Sequence, residues 1–268
     1  MLPDMSSVEP VKLSLNTRFR FRCHKGIVCF TRCCSVIDIL LTPYDILRIK
    51  NRLVISSGEF LEKYTYIHID EKSFYPFVML KMLSDEKKSC PFVTQEGCTI
   101  YTDRPANCRY YPVGQGILKR KEGESIIDDE FYFFIKEHHC LGFKEDKEWT
   151  IEEWRNDQDA SLYDEMNRDW KMFLLRTKTP GQKELDDKKQ KIFYMASYDM
   201  DRFSRYIFGS KFLEVFQMDK TDIEKLKRNE IELMKFGFRY LRYILHIEKT
   251  LKIRNGIIND RVAKPQNI

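Results

Sequence analysis

The sequence contains no apolar run approaching the roughly 20 residues that a membrane-spanning helix needs; its longest, such as Phe131 to Ile135, are only a few residues. A helical membrane protein is thereby excluded. Met1 to Pro10 carries Pro, Asp and Glu where a signal peptide has a basic stretch followed by an apolar one, and the expectation is a soluble, cytoplasmic protein. Glycine and proline are scarce, at 11 and 9 residues, and there is no low-complexity segment, which argues against fibrous and largely disordered chains. There is no polybasic tail or long block of one sign: 46 basic against 41 acidic residues leave only +5, a poor footprint for nucleic acid. The signatures G-x-x-x-x-G-K-[ST] and H-E-x-x-H are missing, and Gly114-Gln115-Gly116 is followed by Lys119 where a dinucleotide fingerprint needs its third glycine. Cysteine is absent from everything beyond residue 140.

What is present points elsewhere. At 268 residues, with 19 Phe and 14 Tyr, the chain is long and aromatic enough to bury a substantial core. Its eight cysteines are therefore not needed as staples for a small fold. Cys23, Cys29, Cys33, Cys34, Cys90, Cys98, Cys108 and Cys140 all lie in the first part of the chain, together with seven of the nine prolines. The composition changes near residue 146, which predicts a cysteine-bearing domain over 1–145 and a helical region over 146–268.

Local signals predict an α+β protein: a small, loop-rich cysteine domain with short antiparallel strands, followed by helices. Thr42-Pro43-Tyr44-Asp45 reads as a helix start, with Thr42 as cap and Pro43 in the first turn, and the apolar spacing of Ile46, Leu47, Ile49 and Leu53 carries that helix to about Leu53. A short helix over Gly58 to Tyr64 is capped by Ser57. Phe74 to Met82, Cys98 to Tyr101 and Glu130 to Lys136 read as strands. Lys119-Arg120-Lys121 reads as a solvated loop. Thr150 and Glu153 have capping-box spacing, and further helices are expected over Leu162 to Arg176, Lys183 to Phe208, Asp222 to Lys235 and Phe238 to Lys252, with a break near Thr179-Pro180-Gly181 and frayed last residues. Trp149, Trp154 and Trp170 read as core between helices.

In a reducing compartment, cysteines at organised spacings are metal ligands or redox groups more often than bridges. The first cluster is Cys23-x5-Cys29-x3-Cys33-Cys34; the second, Cys90-x7-Cys98-x9-Cys108, is interrupted by turn formers at Gly97 and Asp103-Arg104-Pro105. Thiolates suit both zinc and iron-sulfur clusters. Vicinal Cys33 and Cys34 pair poorly with each other but can serve two edges of one site, or two neighbouring sites. Cys140 sits in His138-His139-Cys140, where imidazoles could complete a mixed site, and His24 adjoins Cys23. Tyr44, Arg104 and Arg109 are candidate braces, Arg109 toward a carboxylate or thiolate.

Cys29-x3-Cys33-Cys34, Leu41-Thr42-Pro43-Tyr44-Asp45-Ile46, Cys90-Pro91-Phe92, Gly97-Cys98-Thr99-Ile100-Tyr101-Thr102-Asp103-Arg104-Pro105 and Cys108-Arg109-Tyr110-Tyr111-Pro112 occur in order. Over roughly residues 19 to 145 this resembles the YkgJ-like cysteine-cluster family, described as zinc- or iron-chelating proteins, with a related domain in flagellin lysine N-methylases. Here the leading spacings are five and three, where compact members have a tighter C-x2-C-x2-C-C pattern. The resemblance implies metal or cluster binding. The expected cofactor is an iron-sulfur cluster, with zinc as the alternative; all eight cysteines are candidate ligands, and the helical region is an expected surface for a protein partner. Two other readings compete. One is a methyltransferase acting on protein lysine, which rests only on the related N-methylase domain and lacks the C-x3-C-x2-C signature of radical S-adenosylmethionine enzymes. The other is a nucleic-acid-binding zinc module using Arg18, Arg20 and Arg22 interleaved with Phe19 and Phe21; the same alternation is that of an edge strand, the reading preferred here.

Overall fold

The computed structural model describes residues 8–9, 11–71, 73–122, 125–177 and 185–254. In chain order the first elements are β1 (Arg18–Arg20), β2 (Leu40–Leu41), α1 (Pro43–Leu53), α2 (Ser57–Tyr64), β3 (Thr65–Ile69), β4 (Pro76–Leu80), β5 (Val93–Thr94) and β6 (Gly97–Cys98). They are followed by α3 (Ala106–Tyr110), β7 (Val113–Glu122), β8 (Ser125–Phe134), β9 (Glu148–Thr150), α4 (Ile151–Asp157) and α5 (Ala160–Thr177). The last are α6 (Asp187–Tyr198), α7 (Met200–Gly209), α8 (Phe212–Val215), α9 (Lys220–Arg228) and α10 (Glu230–Ile244). The protein is α+β, with short antiparallel strands toward the N-terminus and helices toward the C-terminus. Among the described residues no helix is long and apolar enough to cross a membrane. The expected features at Met1 to Ser7, Thr179-Pro180-Gly181 and the last residues lie outside the described residues.

Chain contacts divide the protein into two compact units, Met1–Leu41 with Met79–Glu165, and Thr42–Val78 with Met166–Ile268. In the first, β1 pairs antiparallel with β9 and β7 with β8. Alternation along β1 buries Phe19 and exposes Arg18 and Arg20. Phe19, Phe21, Tyr110, Val113, Tyr132, Phe134, Ile151 and Trp154 form the core of this unit. With Phe19 and Phe21 buried there, neither offers a face on which a base could stack, as the edge-strand reading requires.

The second unit holds α1, α2 and α6 to α10. The capping box at α1 is as expected: Thr42 Oγ1 accepts from Asp45 N and Thr42 N donates to Asp45 Oδ2. Its core is aromatic: Tyr75 packs edge-on against Phe193 at 4.7 Å, and Phe203, Phe212, Phe236 and Tyr240 form a second group.

The structure moves several expected boundaries. Lys119 to Lys121 belong to β7, one arm of the long β7–β8 hairpin, and not to a loop. Strand character ends at Cys98, and Tyr101–Asp103 is a 3-10 turn. Ser56, not Ser57, caps α2; Ser57 is buried and its hydroxyl donates to Asp199 Oδ1 at 2.6 Å. That same carboxylate oxygen accepts from Arg202 N, so Asp199 ends α6 and starts α7 where one helix was expected. Asn229 separates α9 from α10 by accepting from the amides of Ile231 and Glu232, and α10 then runs unbroken through Phe236 and Gly237, where a gap was expected. Trp149 and Trp154 stack edge-on in the first unit, whereas Trp170 belongs to the second, against Phe77 and Tyr198.

Candidate metal centre

Four chain segments of the first unit bring the cysteines together. Leaving β1, Phe21 N donates to Lys147 O at 2.9 Å and Arg22 N to Gly142 O at 3.1 Å, which lays Cys23 beside the Cys140 segment. The chain then winds through successive tight turns, Ile27 N to His24 O, Phe30 N to Ile27 O, Arg32 N to Cys29 O and Cys34 N to Thr31 O, with Thr31 in the left-handed region at φ 66°. Short turns of this kind return side chains toward a common side. Leu141 N points at Cys29 Sγ, 3.2 Å away, a backbone donor aimed at sulfur.

The second cluster is tied to the first through main-chain bonds. Cys90 N donates to Cys34 O at 2.8 Å and Val36 N to Lys88 O at 3.1 Å, on either side of a bridge between Ser35 and Ser89. Within it, Val93 N returns to Cys90 O, and the β5–β6 hairpin sets Cys98 opposite Val93. Gly97 closes that hairpin at φ 113°, a conformation that only glycine adopts without strain. Cys108 lies on α3, one short turn beyond Arg104-Pro105.

All eight cysteines are free thiols; Cys29 and Cys90 are buried, Cys23 is exposed, and the rest are half-buried. Their electrostatics report which sulfurs are neighbours. Partial burial of its sulfur, then Cys33, Cys29 and Cys140, push Cys23 up to about 11. Cys33 is raised far above an ordinary thiol by its hydrogen bond with Cys34, then by burial, the charge of Cys34 and that of Glu137. Burial raises Cys140, and Cys29 and Cys33 add to it, while the Tyr111 hydroxyl and Gly142 amide work against them. Burial likewise raises Cys90, with contributions from Cys98 and Cys33. Cys98 is raised by burial and eased by the Ile100 amide and Arg104.

The imidazoles divide into used and adjacent. His24 is committed on both ring nitrogens, Nδ1 accepting from Gly26 N and Nε2 bonded to Glu145 Oε2, each at 3.1 Å. His139 Nε2 lies 3.2 Å from Glu137 Oε2, and the Tyr111 hydroxyl donates to the same oxygen at 3.2 Å. Glu137 and Tyr111 thus form a polar shelf beside Cys140 and Cys33. Glu137 was not singled out from the sequence, and nothing in its spacing marks it.

The two arginines brace the second cluster through backbone. Arg109 is 2% exposed; its guanidinium donates to Arg104 O, Gln158 O, Thr102 O and the Tyr163 hydroxyl, and its plane stacks 4.0 Å from the Tyr163 ring. No thiolate is among these acceptors. Arg104 donates to Tyr101 O and Gln158 Oε1, stacks on Tyr101, and feels the charges of Cys108 and Cys98. Tyr44 lies in the second unit, where its amide donates to Asn167 Oδ1 at 3.4 Å.

Soft sulfur donors gathered at mutual electrostatic cost are the donor set that a thiophilic cation relieves, so the chemistry fits zinc, iron or an iron-sulfur cluster. As the side chains lie, no group of three or more His, Cys, Asp or Glu among the described residues is arranged to hold a metal ion. The CxxCxxCC family, described as a "putative zinc- or iron-chelating domain", matches residues 22–148. No curated protein and no solved structure matches the chain.

Proposed function

We propose that this protein holds an iron-sulfur cluster through its cysteine thiolates, with all eight as candidate ligands, because residues 22–148 match a family described as a "putative zinc- or iron-chelating domain". The observation that carries the reading is the mutual electrostatic contact of Cys23, Cys29, Cys33 and Cys140, sulfurs drawn from both ends of the domain. These four are the first ligand group. Cys34, Cys90, Cys98 and Cys108 are the second, joined to the first at the vicinal pair Cys33-Cys34. The region 1–145 is the metal-binding part, and 146–268 supplies scaffold. Eight thiols with His24 already engaged favour all-sulfur coordination, which both an iron-sulfur cluster and a four-cysteine zinc site satisfy.

The test is metal and acid-labile sulfide content with an absorption spectrum on protein purified without oxygen. Iron with matching sulfide and a broad visible band supports the cluster; zinc without sulfide replaces it with a zinc module. Cys→Ser changes at Cys33, Cys34, Cys98 and Cys108 are each expected to lower bound metal, and unchanged metal in all four would refute the ligand choice.

A further inference from the structure

Tyr111 follows Cys108 in the chain and meets Cys140 in space. It leaves α3 with its amide donating to Asn107 O at 3.4 Å, and the residue after it is tied across to the chain beyond β8 by Ile135 N, which donates to Pro112 O at 2.8 Å. That bond continues the β7–β8 register from the Val113–Phe134 pair and sets Tyr111 against the segment that follows β8. There a tight turn, Cys140 N to Glu137 O at 2.9 Å, brings the Glu137 carboxylate and the Cys140 thiol to one place. Phe21 holds the Tyr111 ring edge-on at 6.2 Å, and Tyr111 and Cys140 pack against the same core.

The Tyr111 hydroxyl has one hydrogen to donate and two acceptors for it. Glu137 Oε2 accepts it at 3.2 Å, and the Cys140 sulfur is its other hydrogen-bond partner. Glu137 does not depend on this donor, because His139 Nε2 lies 3.2 Å from the same oxygen. The rank of the two acceptors changes with the state of the sulfur: a thiol accepts weakly, whereas a thiolate is charged and draws the stronger bond.

We propose that Tyr111 is a positioning residue of the metal centre, whose hydroxyl turns from Glu137 to the Cys140 thiolate when that sulfur binds metal, with Glu137 competing for the same hydrogen. This rests on Cys140 being a ligand, as in the reading above. A donor to a ligating sulfur draws electron density from it and fixes its orientation, and loss of such an outer partner typically costs about 10–100-fold in metal affinity.

The test is titration of the full chain, freed of metal and kept without oxygen at neutral pH, with cobalt(II), whose thiolate charge-transfer absorption reports both affinity and sulfur character. Tyr111→Phe keeps the ring against Phe21 and removes only the hydroxyl. It is expected to weaken cobalt binding about tenfold and to move the charge-transfer band to longer wavelength, because a sulfur without its donor gives up electrons more easily. A merely structural role would not move that band. Glu137→Gln is expected to tighten binding severalfold, and by less in the Tyr111→Phe background, where only the relief of its charge on Cys33 remains. Affinity and band unchanged by Tyr111→Phe, or an equal gain from Glu137→Gln in both backgrounds, would overturn the proposal while leaving the metal reading intact. A parent chain that takes up no cobalt would overturn the thiolate ligation on which both rest.

Discussion

Arg109 shows how a buried charge can be held by backbone. Asp159 Oδ2, 3.7 Å away, is largely solvated, whereas carbonyls of the Thr102–Pro105 turn and of Gln158 accept directly from the guanidinium. A lysine cannot reproduce this planar fork, and Arg109→Lys leaves buried carbonyls without donors. The expected cost is about 3 kcal/mol in urea unfolding, with reduced metal content because the turn between Cys98 and Cys108 loosens. Loss of less than about 1 kcal/mol would show that the turn holds without it. The sequence marked Arg109 as a brace but aimed it at a carboxylate or thiolate. Carbonyl acceptors belong to every residue type, so no side-chain pattern could have revealed them. The same holds for Tyr111, which meets Cys140, and for Glu137, whose charge reaches Cys33, only through folding.

At the scale of elements, the helix starts with a chemical signature were the legible ones. Thr42 with Asp45 and Thr150 with Glu153 both form reciprocal caps, because the partners are three residues apart and need nothing distant. Gly237 misled for a physical reason: glycine reads as a helix break, but here it lets α10 approach α6. A Cβ on Gly237 would stand 2.3 Å from Ala196 O, a backbone atom that cannot turn aside. Gly237→Ala is therefore expected to destabilise by about 1–3 kcal/mol despite alanine's better helix propensity. Gly58→Ala, with open space at its Cβ, is expected to be neutral or stabilising by up to about 1 kcal/mol. Thermal unfolding of the two variants side by side decides the matter, since equal shifts would mean that propensity and not helix contact governs both.

For the molecule as a whole, composition marked where the cysteines end, but the compact units follow contacts that composition does not carry: Thr42–Val78 folds with the C-terminal helices. Only the first unit contains thiols, so metal and stability are coupled there. In the metal-free protein the folded-state values of Cys23, Cys33, Cys90, Cys98 and Cys140 are raised above that of a free thiol. A raised thiol pKa favours the fold while the group is protonated, so this contribution is whole below the free-thiol value of about 8.5 and is lost as pH rises through the folded values, which for Cys23 means toward about 11. Bound metal reverses the sign: thiolate becomes the required form, protons compete with metal, and affinity falls as pH falls. Metal-free protein is thus expected to lose hydrogen-exchange protection around β1 and the Cys90–Cys108 segment between pH 8 and pH 10.5, while metal-loaded protein keeps it. Acidification should strip the metal from the loaded form, and removal by chelation at neutral pH should loosen the same segments while sparing α6, α7 and α10. Identical pH profiles with and without metal would mean that the thiols do not hold it, and the cysteine-rich unit would then have to be explained as a core of buried, uncharged sulfur.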